Sequence, residues 1–192
     1  MMPPSPALPR PRRDRRGLAI ALTLAAIALG GWGLNLWNER GASSAAQAHA
    51  EEALKAEVDL RFQQGVVMLH AREYEHAMTA FHRVLQLAPR MPEAHVNAGF
   101  ALAGQKRFKE ALAFFDSATE LRKEQANAYY GMAIALEGMG DLRGALAAME
   151  AFLHRAKTDD PYRRKAESAV WEWRAQLSGK TPPPGTVERK AS

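Results

Sequence analysis

A period of 34 residues constrains the fold of this chain more than any other feature of its sequence. Over three consecutive copies, small residues recur at two points and large apolar residues at three others. The small positions are Gly65, Gly99 and Ala133, then Ala77, Ala111 and Ala145; the large ones are Phe81, Phe115 and Met149, then Met68, Leu102 and Leu136, then Tyr74, Phe108 and Leu142. Small residues let two helices approach closely while large neighbours fill the space beside them, so the period predicts stacked helical hairpins.

Each copy is typical of a helix, a short turn and a second helix. Glycines 104, 138 and 140 mark turns, and Pro89–Pro92 and Lys157–Asp160 mark breaks after second helices. The expected helices cover residues 58–71, 74–87, 92–104, 108–121, 126–138, 142–156 and 161–177. No segment keeps the alternation of a strand, so the sequence predicts an all-α fold.

The second copy, PEAHVNAGFALAGQKRFKEALAFFDSATEL, resembles the tetratricopeptide repeat (TPR) family. The residues on the family's packing positions are Gly99, Leu102, Phe108, Ala111, Phe115 and Ala118. The resemblance covers residues 58–159 as three repeats, at 58–91, 92–125 and 126–159. Departures are Arg61 and His95 at a usual aromatic position and Lys123 in place of a closing proline. The resemblance implies a three-repeat superhelix that recognises other proteins.

Stacked repeats need a cover at their ends. Residues 160–178 predict a capping helix, with Asp160 as N-cap and Pro161 in the first helical position. Its expected apolar stripe consists of Tyr162, Ala166, Ala169, Val170, Trp173 and Leu177. Trp171, one position off the stripe, is expected in the core rather than exposed. The proline-rich residues 179–192 predict a disordered tail.

An uncharged stretch of 21 residues, 17–37, is long enough to cross a bilayer as a helix of about 30 Å. Trp32 and Trp37 stand at its C-terminal end, where indole rings favour the interface with water. Residues 1–16, expected to be a disordered tail, hold five Arg against one Asp. The positive-inside rule therefore predicts a single-pass protein of the bacterial inner membrane, with a cytoplasmic N-terminus and periplasmic repeats. Residues 38–57 are expected to form a linker and helical stalk.

Other interpretations of the N-terminal segment remain open. A basic start, an apolar run at 18–29 and small residues at Ala28 and Gly30 also suit a cleaved signal peptide. A buried core helix would need a polar face that the stretch lacks, and a mitochondrial presequence is opposed by five prolines before residue 12. The length and the aromatic end favour a signal-anchor.

The sequence argues against an enzyme. It has no cysteine, no H-E-x-x-H pair and no glycine-rich phosphate loop before a lysine. Its six histidines never stand three or four apart, although a metal site assembled in space remains open. Because four of the five net positive charges lie in residues 1–16, the repeats have little excess charge for nucleic acid. We expect no cofactor, no metal, no nucleic acid and no small-molecule substrate.

The resemblance places the functional site in a concave groove lined by the first helix of each repeat. The expected peptide-binding residues are Phe62, Val66, Leu69, Val96, Asn97, Phe100, Tyr130 and Ile134. Of the polar residues with which chaperone-binding members hold a partner's terminal carboxylate, only Asn97 has a counterpart here, so no such clamp is expected. An apolar groove suits an amphipathic helix or an extended hydrophobic peptide of another protein. The alternative is that the stalk or the C-terminal tail covers it.

These features predict a membrane-anchored, chaperone-like adaptor or assembly factor that holds client proteins. The layout is similar to TPR subunits of cytochrome c maturation and haem-lyase systems, and to translocon-associated periplasmic chaperones. The alternative is a permanent accessory subunit of a larger membrane complex. In that case the transmembrane helix and the convex face would be buried against neighbours.

Overall fold

The structure, a computed structural model, describes residues 46–179. Helices dominate this part of the chain, which contains no strand, so the all-α prediction is confirmed. Helix α1 covers residues 46–70, and six more follow: α2 Tyr74–Leu87, α3 Pro92–Gly104, α4 Phe108–Leu121, α5 Ala126–Gly138, α6 Leu142–Arg155 and α7 Arg163–Leu177. The packing described below is that of residues 54–179, which belong to one compact unit.

The predicted bounds of α2 to α5 agree with the structure, and those of α1, α6 and α7 differ. Helix α1 is already helical at residue 46, and no glycine or proline interrupts the sequence between residues 46 and 64. Helix α7 begins at Arg163 instead of Pro161. The carboxylate of Asp160 accepts the backbone N–H of Tyr162 at 2.8 Å, which forms a turn ahead of the helix.

The predicted transmembrane helix at 17–37, the tail at 1–16 and residues 180–192 lie outside the described residues. Part of the predicted linker and stalk, before residue 46, lies outside them as well. Across residues 46–179, none of the helices combines the length and the apolar character that crossing a membrane requires.

The 34-residue period reflects a repeated contact between the two helices of a hairpin. A Cβ atom on Gly65 would lie 2.6 Å from Cε1 of Phe81, and one on Gly99 would lie 2.6 Å from Cε1 of Phe115. Both separations are too short for real atoms, so the phenyl ring requires glycine at these positions. The third hairpin has Ala133 and Met149 at the equivalent positions. There the thinner, flexible side chain of Met149 replaces the phenyl ring, and alanine replaces glycine.

The turns inside the hairpins repeat with the same period. Arg72, Lys106 and Gly140 have φ angles of 63°, 61° and 84°, in the left-handed region. In each turn the next residue's N–H donates to a carbonyl five residues back, for example from Glu73 to Met68. This is the Schellman arrangement that ends a helix, and it satisfies carbonyls that the helix leaves free.

The core of the hairpins consists of two clusters. The first contains buried residues of α2, α3, α4 and α5 around Phe81, Leu102 and Phe115, with Phe62 and Val66 of α1 packed against it. The second is built by α5, α6 and α7 around Phe152 and Trp173. Helix α7 buries Ala166, Val170 and Trp173 in this cluster, so it covers the end of the last hairpin.

Candidate functional site

The first helices of the hairpins, α1, α3 and α5, share one face with the start of α7. We call this face the groove, and a depression of about 350 Å³ lies in it. Its apolar and aromatic lining consists of Leu69, Val96, Phe100, Tyr130, Ile134 and Tyr162. Its polar lining consists of His70, Asn97, Asn127 and Lys165. The volume falls in the range of pockets that hold small ligands or single large side chains.

Six of the eight residues predicted for the site line this depression. Val96 and Tyr130 are almost fully buried and form its floor, whereas Leu69, Asn97, Phe100 and Ile134 are half-buried. The other two predicted residues lie elsewhere: Phe62 packs edge-to-face against Phe81, with ring centroids 5.9 Å apart, and Val66 packs against the first core cluster.

A row of aromatic rings connects the core to the groove. Phe100 lies edge-to-face against Phe115 at 5.1 Å and is 6.5 Å from Tyr130. Tyr130 in turn contacts Phe152 at 5.2 Å and Tyr162 at 5.1 Å. These rings fix one another's orientation, so the floor of the depression is rigid and formed before any ligand arrives.

Helix α7 also lines a second depression, of about 420 Å³, next to the first. The two share Tyr130, Ile134 and Lys165. The remaining lining comes from Glu137, Met149, Ser168, Ala169, Glu172 and Trp173. Positions 162, 165, 169 and 172 of the chain thus form a second face of α7, at helical spacing, beside the buried face.

Tyr162 and Lys165 were missed as site residues because the sequence assigned α7 only a capping role. The sequence did contain a signal for a wider role. The predicted apolar stripe included Tyr162 and Ala169 and was too wide for a single contact face. In the structure Tyr162 is 47% exposed rather than buried, and it extends the aromatic row into the groove.

The two tryptophans of α7 have different environments. Trp173 is buried, and its indole N–H donates to a carboxylate oxygen of Glu137 at 3.2 Å. Trp171 is 45% exposed, so the expectation that it belongs to the core is wrong. Trp171 lies neither on the buried face of α7, which contains Ala166, Val170 and Trp173, nor on the face that lines the two depressions.

Few charged side chains line the two depressions of the groove. Lys165 is the one Lys or Arg that lines either depression, and it makes no ion pair within residues 46–179. No carboxylate lines the first depression, while Glu137 and Glu172 line the second. The first depression therefore has a positive charge beside two carboxamides, those of Asn97 and Asn127.

Three groups on α4 and its N-cap have perturbed pKa values. The Arg107 guanidinium donates two hydrogen bonds to Glu110, which lowers the pKa of that carboxyl and raises the pKa of Arg107. Burial raises the pKa of Asp116, with a smaller contribution from the charge of Glu120. Helix α4 is the second helix of its hairpin, so these groups do not belong to the groove lining.

The lining of the first depression is mostly apolar and aromatic, with two carboxamides, a histidine and a lysine. Among residues 46–179, no group of three or more His, Cys, Asp or Glu is placed to hold a metal ion. The resemblance described above places Phe62, Val66, Asn127 and Gly131 where the other polar residues of a carboxylate clamp would stand. What the groove offers is a rigid apolar floor with a few hydrogen-bonding groups and a cation at its rim, which is an arrangement for binding.

Comparisons with known proteins agree with this geometry. The sequence profile of the family described as tetratricopeptide repeat matches residues 68–121 and 102–169, which together span more than half of the chain. No curated protein matches the sequence.

Solved structures share the fold at low sequence identity. The TPR2B domain of yeast Sti1, solved in a complex with pHsp70, is 20% identical, with a TM-score of 0.59 over 63% of this chain and 98% of that one. The Sgt2 TPR domain of Aspergillus fumigatus is 21% identical, with a TM-score of 0.59 over 71% and 91%. A TPR-like protein of Chlorobium tepidum is 21% identical, with a TM-score of 0.57 over 66% and 97%.

Proposed function

Because the chain belongs to the tetratricopeptide repeat family, whose fold is a protein-interaction scaffold, we propose that it is an adaptor that holds a segment of another protein in the groove. The observation that carries the proposal is the depression formed by Leu69, Phe100 and Ile134 over the floor of Val96 and Tyr130. These residues come from three successive repeats. A hydrophobic or amphipathic peptide is the ligand that such a surface suits.

The mode of binding follows from the lining. Large side chains of the client would bury apolar area against Phe100 and Ile134, and the carboxamides of Asn97 and Asn127 would pair with its backbone. Because the aromatic row is already packed, little ordering of the groove is needed on binding.

The proposal can be tested with a purified variant in which a larger side chain blocks the groove. Replacing Phe100 with Asp would also loosen the core, because Phe100 packs on Phe115. Asn97→Trp fills the depression without removing a core side chain. We expect the full-length Asn97→Trp variant to lose client capture, and Lys109→Trp, on an exposed position of α4, to keep it. Equal capture by both variants would exclude the groove as the binding site.

The proposal includes a membrane tether and a periplasmic location for the repeats. Its support is the sequence of residues 17–37 and the arginines before them. Tethering confines the search for clients to the membrane surface and raises their effective concentration. A periplasm-activated reporter fused after Ser192 is expected to be active, and activity of a cytoplasmic reporter there would reverse the orientation. A role in c-type cytochrome assembly stays a prediction.

One observation favours the second candidate function, a permanent accessory subunit. Leu60 and Val67 on α1 are 57% and 60% exposed and, seven residues apart, lie on the same face of the helix. In a stable complex a neighbouring subunit would cover them. Mild detergent extraction followed by sizing separates the two functions, since a subunit is recovered in a stoichiometric complex and an adaptor is recovered alone.

A further inference from the structure

Helix α7 contributes a charged group to the groove as well as covering the last hairpin. Lys165 lies where the two depressions meet and lines both of them. It is exposed at the rim, and it has no ion-pair partner within the described residues. Its neighbour Arg164, by contrast, lies outside both depressions. The first depression has an apolar floor and no carboxylate in its lining, so on that side Lys165 attracts an acidic group of a ligand, whereas Glu137 and Glu172 line the second depression.

The groove continues on both sides of this lysine. Tyr130 and Ile134 line both depressions too, so a polypeptide can pass over Lys165 with apolar side chains on either side of it. A free chain terminus is not needed for this path. The complementary ligand is therefore an internal segment in which an acidic side chain lies between large apolar ones.

We infer that Lys165 pairs with the side-chain carboxylate of an internal Asp or Glu of the client, while large apolar residues on its two sides occupy the two depressions. The inference rests on the proposed function and adds the charge and the pattern of the segment recognised. The carboxamide N–H groups of Asn97 and Asn127 supply further donors beside the first depression. Because Lys165 is at the rim, the pair selects among apolar segments rather than providing most of the affinity.

A display selection tests the inference without knowledge of the client. The probe is a library of random dodecapeptides inserted within a coat protein, so that no peptide has a free terminus. It is selected on the full-length chain in detergent, on Lys165→Glu and on the matched control Arg164→Glu. We expect the wild type and Arg164→Glu to enrich peptides with an acidic residue between large apolar ones. Lys165→Glu is expected to enrich Lys or Arg at that position.

Synthetic peptides then measure the size of the effect. An enriched peptide with both ends blocked is compared with its Glu→Gln and Glu→Lys forms by fluorescence anisotropy. For the wild type, we expect Glu→Gln to weaken binding about two- to fivefold, less so at high salt. For Lys165→Glu, the Glu→Lys peptide is expected to bind better than the Glu peptide. Circular dichroism verifies that the variants keep their helical content.

The outcomes distinguish this inference from the proposed function. Enrichment of apolar peptides with no charge preference, or with an acidic preference that Lys165→Glu leaves unchanged, overturns the role of Lys165 and keeps the groove as a peptide site. An equal loss in Arg164→Glu overturns it as well, since the effect would then be one of net charge. Failure to enrich any apolar peptide overturns both.

Discussion

At the scale of single residues, the repeat depends on pairs in which a small residue on one helix faces a large side chain on the other. Gly99 has no side chain because the ring of Phe115 occupies the space that a Cβ would fill. The same ring also excludes a Cβ at Gly131 of the next hairpin. One phenylalanine thus fixes both the closure of its own hairpin and the stacking of the following one.

A methyl group at position 99 is therefore expected to destabilise the fold. Gly99→Ala should lower the free energy of unfolding by about 1–3 kcal/mol, because Phe115 has to move within a packed core. The measurement is denaturant unfolding of the full-length chain. This result opposes the usual gain of about 1 kcal/mol for Gly to Ala within a helix.

The third hairpin suggests a matched rescue. Since Ala133 is accommodated opposite Met149, Gly99→Ala combined with Phe115→Met should be more stable than the sum of the two single effects predicts. If the effects of the two single substitutions simply add, the close contact with Phe115 is not the reason for glycine at position 99.

The turn residues with left-handed φ angles allow the opposite prediction, a substitution that raises the free energy of unfolding. Lys106 has a φ of 61°, which costs a residue with a side chain about 1–2 kcal/mol relative to a right-handed conformation. Lys106→Gly should therefore raise the free energy of unfolding by about 1 kcal/mol. Lys109→Gly, within α4, is the control and should lower it by a similar amount. A loss of stability in both variants would contradict the role assigned to the turn.

At the scale of helices, α7 has two functions on two faces. Its buried face, with Ala166, Val170 and Trp173, completes the second core cluster. Its other face, with Tyr162 and Lys165, belongs to the groove. The exposed ion pair between Arg174 and Glu150, at 2.6 Å, also connects α7 to α6, but such pairs contribute at most about 1 kcal/mol.

The two tryptophans of this helix provide a matched test. Trp173→Ala should destabilise the fold by about 3–5 kcal/mol, because it leaves a cavity and removes the hydrogen bond to Glu137. Trp171→Ala should change the free energy of unfolding by no more than about 0.5 kcal/mol. Thermal and urea unfolding measure both, and equal effects would show that α7 packs differently.

The sequence predicted the helices far better than it predicted the groove. The period fixes which residues lie between helices, because a Cβ or a ring at the wrong position cannot fit. Lys165 is not constrained in this way, since its place in the groove depends on how α7 packs on the last hairpin. The sequence predicted the start of α7 at Pro161, with Asp160 as its N-cap. In the structure Asp160 caps a turn instead, and the sequence alone does not distinguish such a turn from a helix N-cap.

At the scale of the whole molecule, the repeats form a scaffold whose rigidity comes from aromatic contacts and whose binding face lies on first helices. The row from Phe115 through Phe100 and Tyr130 to Tyr162 connects the two core clusters with the end of the groove. The proposed tether at residues 17–37 would hold such a scaffold close to clients that emerge at the membrane.

Photo-crosslinking in cells shows which face of the repeats contacts a client. A photo-reactive amino acid is placed at Asn97, in the groove, and separately at Lys109 and Arg143, which are exposed on the second helices α4 and α6. The account predicts a discrete crosslinked protein from Asn97 that disappears when Ile134→Arg is added, and none from the other two positions. Adducts of equal yield from all three positions, or none from Asn97, would contradict it.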